Sequence, residues 1–185
     1  MFVCTRFAAL TLLLTSSAHA TISLPTITPV PIPAGTPIAD GGGATLDNFI
    51  SQDLFANTTN DWTTAAIVIE LTAGSIYQDA FGNATGPASS TIIDLAPSVG
   101  FDTYVTNPLG VSTVQGAAGD LGDFDFKSDE TTGLSMSWDG GGTDRSNVGA
   151  TRIGRFTFSN DAQGTWSLAV TEAHNPMAVF KQGSI

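Results

Sequence analysis

The 185-residue sequence predicts an all-β protein, a single antiparallel β-sandwich of jelly-roll-like form. Three observations carry that prediction. Apolar residues recur with period two in several short segments, the mark of strands with one face in a core and one in water. No stretch of ten or more residues carries a helical stripe, and 20 glycines and 9 prolines punctuate the chain. Short strands divided by Gly, Asn and Asp turns fit a sandwich, and the absence of a fixed-period repeat argues against a solenoid or propeller.

The first 20 residues read as a secretory signal peptide rather than as part of the fold. Arg6 gives a basic start, Phe7 to Leu14 an apolar run, and Ala18-His19-Ala20 a small-residue cleavage site, with cleavage expected after Ala20. The apolar run is far shorter than the roughly 20 residues a spanning helix needs, so no membrane anchor is expected in the mature chain. Cys4 precedes the apolar run, where a lipoprotein cysteine would follow it. Cleavage removes that cysteine and Arg6, leaving 5 Lys and Arg against 17 Asp and Glu. So acidic a protein repels phosphate backbones and anionic lipid, which speaks against nucleic-acid and membrane-surface binding. Without disulfides, stability has to come from a core of adequate size.

Residues 21–43 are rich in Pro, Thr, Ile and Gly, with prolines at 25, 29, 31, 33 and 37. Each proline lacks a backbone donor, so the segment is expected to be an extended edge that becomes a linker, closing at Gly41-Gly42-Gly43. The sandwich domain is then placed at 44–185. Within it Ala65, Ile67, Ile69 and Leu71 share one face, with Glu70 on the other. Val99, Phe101, Thr103 and Val105 repeat the arrangement with Asp102 outward. Leu134, Met136 and Trp138 alternate with serines, and Trp166, Leu168 and Val170 with Ser167, Ala169 and Thr171. In Thr151 to Ser159 the phase slips between Ile153 and the pair Phe156 and Phe158, and a β-bulge beside Gly154 would return all three to the core. Weaker strand candidates are Leu46 to Phe55, Ser75 to Gln78 and Met177 to Phe180.

The densest polar cluster holds Asp120, Asp123, Asp125, Asp129 and Glu130. Calcium takes six to eight oxygen ligands, so such a loop is a candidate calcium site. The spacing departs from an EF-hand, with Lys127 at a ligand position and no central glycine, and solvated turn carboxylates are the simpler reading. Asp139-Gly-Gly-Gly-Thr-Asp144 occurs once and reads better as a hairpin loop than as a calcium repeat. A serine triad needs an imidazole, and the mature chain has only His174, before the turn-like Asn175-Pro176. One histidine without cysteine also leaves a zinc site dependent on carboxylates. Paired carboxylates cleaving a glycosidic bond are a third functional class, but Glu70, Glu130 and Glu172 stand beside no recognisable signature.

Aromatic rings stack on the apolar faces of sugars, which makes Trp62, Tyr77 and Tyr104 candidate ligand-binding residues. Trp138 and Trp166 share the phase of core positions, so burial is expected for both. Asn57-Thr58-Thr59 and Asn83-Ala84-Thr85 match the N-glycosylation pattern, a frequent chance match that carries no functional conclusion.

Several longer phrases carry a resemblance. They are Ala44-Thr-Leu-Asp-Asn-Phe-Ile-Ser-Gln-Asp-Leu54, Thr58-Thr-Asn-Asp-Trp62, Gly74-Ser-Ile-Tyr-Gln-Asp-Ala-Phe-Gly82 and Phe101-Asp-Thr-Tyr-Val-Thr106. Gly116-Ala-Ala-Gly-Asp-Leu-Gly122, Thr151-Arg-Ile-Gly-Arg-Phe-Thr157 and Asp161-Ala-Gln-Gly-Thr-Trp166 extend the set. Together they resemble uncharacterised secreted proteins of planctomycete-type bacteria. The resemblance implies an extracellular β-sandwich and supplies no catalytic residue. Relatives of that kind often end in a Pro-Glu-Pro-like sorting tail. This chain stops at Gly183-Ser184-Ile185, so free secretion or a truncated end is expected. The functional expectation is a non-enzymatic extracellular or cell-envelope protein with a structural or adhesive role, whose partners are polysaccharide or other envelope proteins. A carbohydrate-binding module supported by calcium, and a glycan-active enzyme using two carboxylates, are the alternatives.

Overall fold

A computed structural model describes residues 23–39, 41–58, 62–82, 86–106, 114–116, 133–139, 149–172 and 178–185. The described strands are β1 (Ser23–Val30), β2 (Phe49–Thr58), β3 (Trp62–Ala73), β4 (Tyr104–Val105), β5 (Val114–Gly116), β6 (Gly133–Asp139), β7 (Gly149–Ser159), β8 (Gln163–Glu172) and β9 (Ala178–Ser184). They form a four-stranded sheet of order β1-β2-β7-β4 and a five-stranded sheet of order β5-β6-β3-β8-β9, every pairing antiparallel. The two sheets pack face to face as an all-β sandwich. The chain changes sheet after β2, β3, β4, β6 and β7, a jelly-roll-like alternation.

Period-two patterning decides which faces meet. Ala65, Ile67, Ile69 and Leu71 of β3, Leu134 and Met136 of β6, and Leu168 and Val170 of β8 lie on the inner face of the larger sheet. Leu54 and Ala56 of β2, Val105 of β4, and Ile153, Phe156 and Phe158 of β7 face them. Glu70 is exposed, as its phase predicts. Ile67 and Ile153 are fully buried, and each such side chain contributes about 1.5–3 kcal/mol through removal from water.

The phase slip in β7 is a β-bulge. Leu54 pairs with Gly154 and the next residue, Phe55, with Arg152, so Ile153 is the additional residue. The bulge turns Ile153, Phe156 and Phe158 to one face, and it also brings Arg152 and Arg155, three apart, to the other. Gly154 is required there, because a Cβ would meet the Tyr104 carbonyl at 2.5 Å.

The proline-rich segment divides in two. Residues Ser23–Val30 form β1, paired on one side only, to β2, where prolines 25 and 29 interrupt no second ladder. The sandwich therefore begins at least as early as Ser23, and 44 is not its boundary. Residues 31–39 and 41–43 fold back instead of spacing: Pro37 bridges Thr45, Ile38 N–H donates to the Ala44 carbonyl at 2.9 Å, and Ala39 N–H donates to Ser98 Oγ at 3.1 Å.

Two strand expectations fail. Of Val99 to Val105 only Tyr104–Val105 is strand, because Pro97 opens a 3-10 turn, Pro97–Phe101. Ser75 to Gln78 contributes one isolated bridge, Ile76 to Phe158. The six-residue helix α1 (Ser90–Leu95) has Ser89 at its N-cap, whose Oγ accepts from Ile92 N–H at 3.4 Å. It is too short to show a helical stripe. Among the described residues no helix is long and apolar enough to cross a membrane.

Candidate functional site

The outer face of the four-stranded sheet is covered by the segment between β3 and β4, and a polar layer fills the contact. Antiparallel register sets Asp53 of β2 opposite Arg155 of β7, and Arg155 opposite Tyr104 of β4. Asp53 Oδ1 accepts from Arg155 Nε at 2.8 Å and Oδ2 from Nη2 at 3.1 Å, a bidentate pair. Arg155 Nη1 donates onward to the Gly100 carbonyl at 2.6 Å, which ties the 3-10 turn to the sheet. Arg152 adds a longer contact, 3.4 Å from Asp53 Oδ2. The guanidinium carbons of Arg152 and Arg155 lie 5.5 and 5.9 Å from the centre of the Tyr104 ring. The hydrogen bond to Asp53 raises the Arg155 pKa further above its ordinary value.

A second layer surrounds Asp79. Its carboxylate accepts from Tyr77 OH at 2.7 Å, Ser98 Oγ at 2.5 Å and Phe81 N–H at 3.0 Å. Asp102 accepts from Asp79 N–H and from Gln78 Nε2, each at 2.8 Å. Both aspartates are buried, at 4% and 1% exposure, so the outward placement of Asp102 expected from strand phase is corrected: it points into this layer. Thr157 Oγ1 donates to the Phe101 carbonyl at 2.5 Å and sits 2.8 Å from Ser51 Oγ.

Neither tyrosine offers a sugar-stacking platform. Tyr77 is 6% exposed and packs its ring 5.2 Å from that of Phe49, while Tyr104 is 3% exposed beneath the two arginines. Both were candidates because flat rings suit sugars, and the covering segment removes that use. The backbone of Trp62 opens β3 opposite Glu172, but its side chain lies outside the described residues. So do Asp120, Asp123, Asp125, Asp129, Glu130 and His174, and the Trp138 side chain. Among the described residues no cluster of three or more His, Cys, Asp or Glu side chains forms a metal site.

Burial raises the pKa of both phenols, strongly for Tyr77, where the Asp79 hydrogen bond adds to it, and less for Tyr104, where the two arginines oppose it. These are the chain's 2 tyrosines. A phenol whose folded pKa lies above the unfolded value of about 10 keeps its proton in the native state and loses it on unfolding. Stability is therefore full below pH ~10 and falls above it, by up to about 1.4 kcal/mol per pH unit for Tyr77, with Tyr104 acting in the same direction. Phenolate absorbance is expected to stay silent as pH rises and to appear together with loss of far-ultraviolet β signal. Phenolate absorbance rising near pH 10 in the folded protein would contradict the burial of both rings.

An apolar opening lies between the sheets. A cavity of about 240 Å³ is lined by Ile27, Ile50, Gln52, Leu54, Ile67, Ile69, Phe156, Phe158, Ala162, Trp166, Ser184 and Ile185. Ile27 and Ile50 stand 41% and 49% exposed, and β1 and β9 are the facing edge strands, so the mouth lies between those edges. Trp166 is half-buried and leans over Gly183, where a Cβ would collide with the indole nitrogen. Its Nε1–H is buried without a partner. Leaving such a donor unmet costs about 1–3 kcal/mol. Strand phase assigned Trp166 to the core; it lies on the core side but at an edge where the sheets part. No signal in the sequence marks that gap, because it depends on how far apart the sheets sit. No protein-family model matches the chain, and no curated protein matches it.

Proposed function

We propose that the chain is a non-enzymatic protein of the cell exterior or envelope with a structural or adhesive role. One observation supports the non-enzymatic part most directly. The three buried acidic side chains among the described residues, Asp53, Asp79 and Asp102, all accept hydrogen bonds from neighbours: Asp53 from Arg155 within the sheet, and Asp79 and Asp102 from residues at both ends of the covering segment, which they hold together. A glycosidase needs two carboxylates facing a cleft with room for substrate between them. Those three carboxylates are enclosed, and the opening between the sheets carries no acid on its lining. The export signal at residues 1–20 supports the location.

The test joins location to activity. In a secreting bacterial host the recovered protein is expected outside the cytoplasm with Thr21 at its N-terminus, and it releases no reducing sugar from a panel of polysaccharides. Recovery in the cytoplasm with residues 1–20 still attached would overturn the location, and sugar release would overturn the non-enzymatic role. A glycan array separates adhesion through sugar from adhesion through protein: binding abolished by Trp62→Ala would establish the carbohydrate-binding alternative.

A further inference from the structure

We propose that the cavity between the sheets is a binding site for one unbranched alkyl or acyl chain carrying an uncharged oxygen-bearing head group, a function beyond the structural role above. Shape comes first. Ile50, Gln52 and Leu54 are successive inward positions of β2 on the lining, so the cavity follows that strand for four residues, about 13 Å at ~3.3 Å per residue. A volume of about 240 Å³ drawn out along ~13 Å of strand makes an elongated slot, a shape that suits an extended hydrocarbon chain.

Lining chemistry points the same way. Ten of the twelve lining residues are Ile, Leu, Phe, Ala or Trp, and none has a charged side chain. Apolar cavities of ~150 Å³ in folded proteins stay dry and take up apolar guests, so this larger one favours hydrocarbon over water. Ile27 and Ile50, exposed at the mouth, extend the apolar path outward. The head group is set by what the lining offers and lacks. Gln52 and Ser184 offer uncharged hydrogen-bonding side chains to a ligand oxygen, whereas no Lys or Arg lines the cavity to hold a carboxylate or phosphate. The protein's formal charge of −11 repels an anionic head group at the mouth. Alcohols, esters and glycosides of a medium-length chain have the matching chemistry.

The experiment titrates the full-length protein with 1-alkanols from butanol to dodecanol, and with decanoate, by calorimetry and thermal shift. Binding of 1-decanol is expected at one per chain with a negative heat-capacity change. Affinity is expected to rise about fourfold per methylene and to level off near ten carbons, where the ~13 Å slot is full. Decanoate is expected to bind at least about tenfold more weakly than decanol at neutral pH. Gln52→Phe and Ala162→Phe each place a ring in the slot. Both are expected to weaken decanol binding at least about tenfold while leaving the melting temperature unchanged or higher, as filling a cavity does. Two independent filling variants and the chain-length series keep the test decisive should one variant fold poorly. No heat and no thermal shift with any alkanol would overturn the proposal, as would affinity indifferent to chain length or to both substitutions. Equal affinity for decanoate would overturn the uncharged head group.

Discussion

Asp53→Ala is expected to lower the unfolding free energy by about 3–5 kcal/mol, among the largest single-site losses in the molecule. The side chains of Asp53 and Arg155 retain 12% and 17% of their exposure, so removing the carboxylate strands a guanidinium in a layer where water reaches poorly. That uncompensated charge, more than the lost attraction, sets the size of the effect. Arg152 cannot substitute for the lost partner, since it carries the same sign and sits one-third exposed. For a chain of this length the loss corresponds to a fall in melting temperature of roughly 6–20 °C. Replacing both partners, as Asp53→Leu with Arg155→Met, removes the stranded charge and is expected to cost less than Asp53→Ala alone. Thermal and urea denaturation of the two single variants and the pair form the check. A loss below about 1 kcal/mol for Asp53→Ala would show that the pair behaves as a surface contact.

The second large effect is expected at Asp79. Its carboxylate receives three donors, Tyr77 OH, Ser98 Oγ and Phe81 N–H, drawn from both ends of the segment that covers the sheet. Asp79→Ala leaves all three without an acceptor at about 1–3 kcal/mol each, offset where water enters the space, for an expected loss of about 3 kcal/mol or more. The damage is local first. Hydrogen exchange is expected to accelerate through residues 75–103 before the strands of the sandwich respond. Asp79→Asn keeps an acceptor oxygen and is expected to cost less. The Tyr77 phenol reports independently: without the Asp79 hydrogen bond and charge, two of the causes holding its pKa up are gone, so it titrates at lower pH than in the parent. An Asp79→Ala protein with unchanged exchange across 75–103 would contradict the fastening role.

Why these aspartates carry so much follows from the construction of the sandwich. A sheet with one face in the core normally gives its other face to water, and Glu70 of β3 does so. The four-stranded sheet has a second cover instead, and Ser51, Asp53 and Thr157 on its outer face are buried. Because that cover contributes turns with free carbonyls and hydroxyls more than apolar side chains, the contact is built from hydrogen bonds. Its polar groups must be almost completely matched, which makes it intolerant of single losses.

The sequence by itself determined the sandwich and its core. Period two assigned Ile67, Ile69, Met136, Leu168 and Val170 to one interior, and the displacement of Ile153 against Phe156 and Phe158 located a bulge without any structure. These are local properties: side chains alternate along a strand whatever it pairs with, so burial of one face is written into neighbouring residues. Prolines 25 and 29 marked an edge strand for the same reason, through a missing donor at each position. Only the tertiary structure decided what covers the outer face, and so that Asp102, Tyr77 and Tyr104 are buried. Alternation separates two faces but does not say which of them meets a second layer, and a polar residue under a cover reads in sequence like one in water. The cavity between β1 and β9 is hidden from sequence on different grounds. Its lining comes from six strands, the β7–β8 turn and Ile185. Whether those side chains meet or leave a slot depends on the spacing of two sheets, a distance set by every contact between them at once.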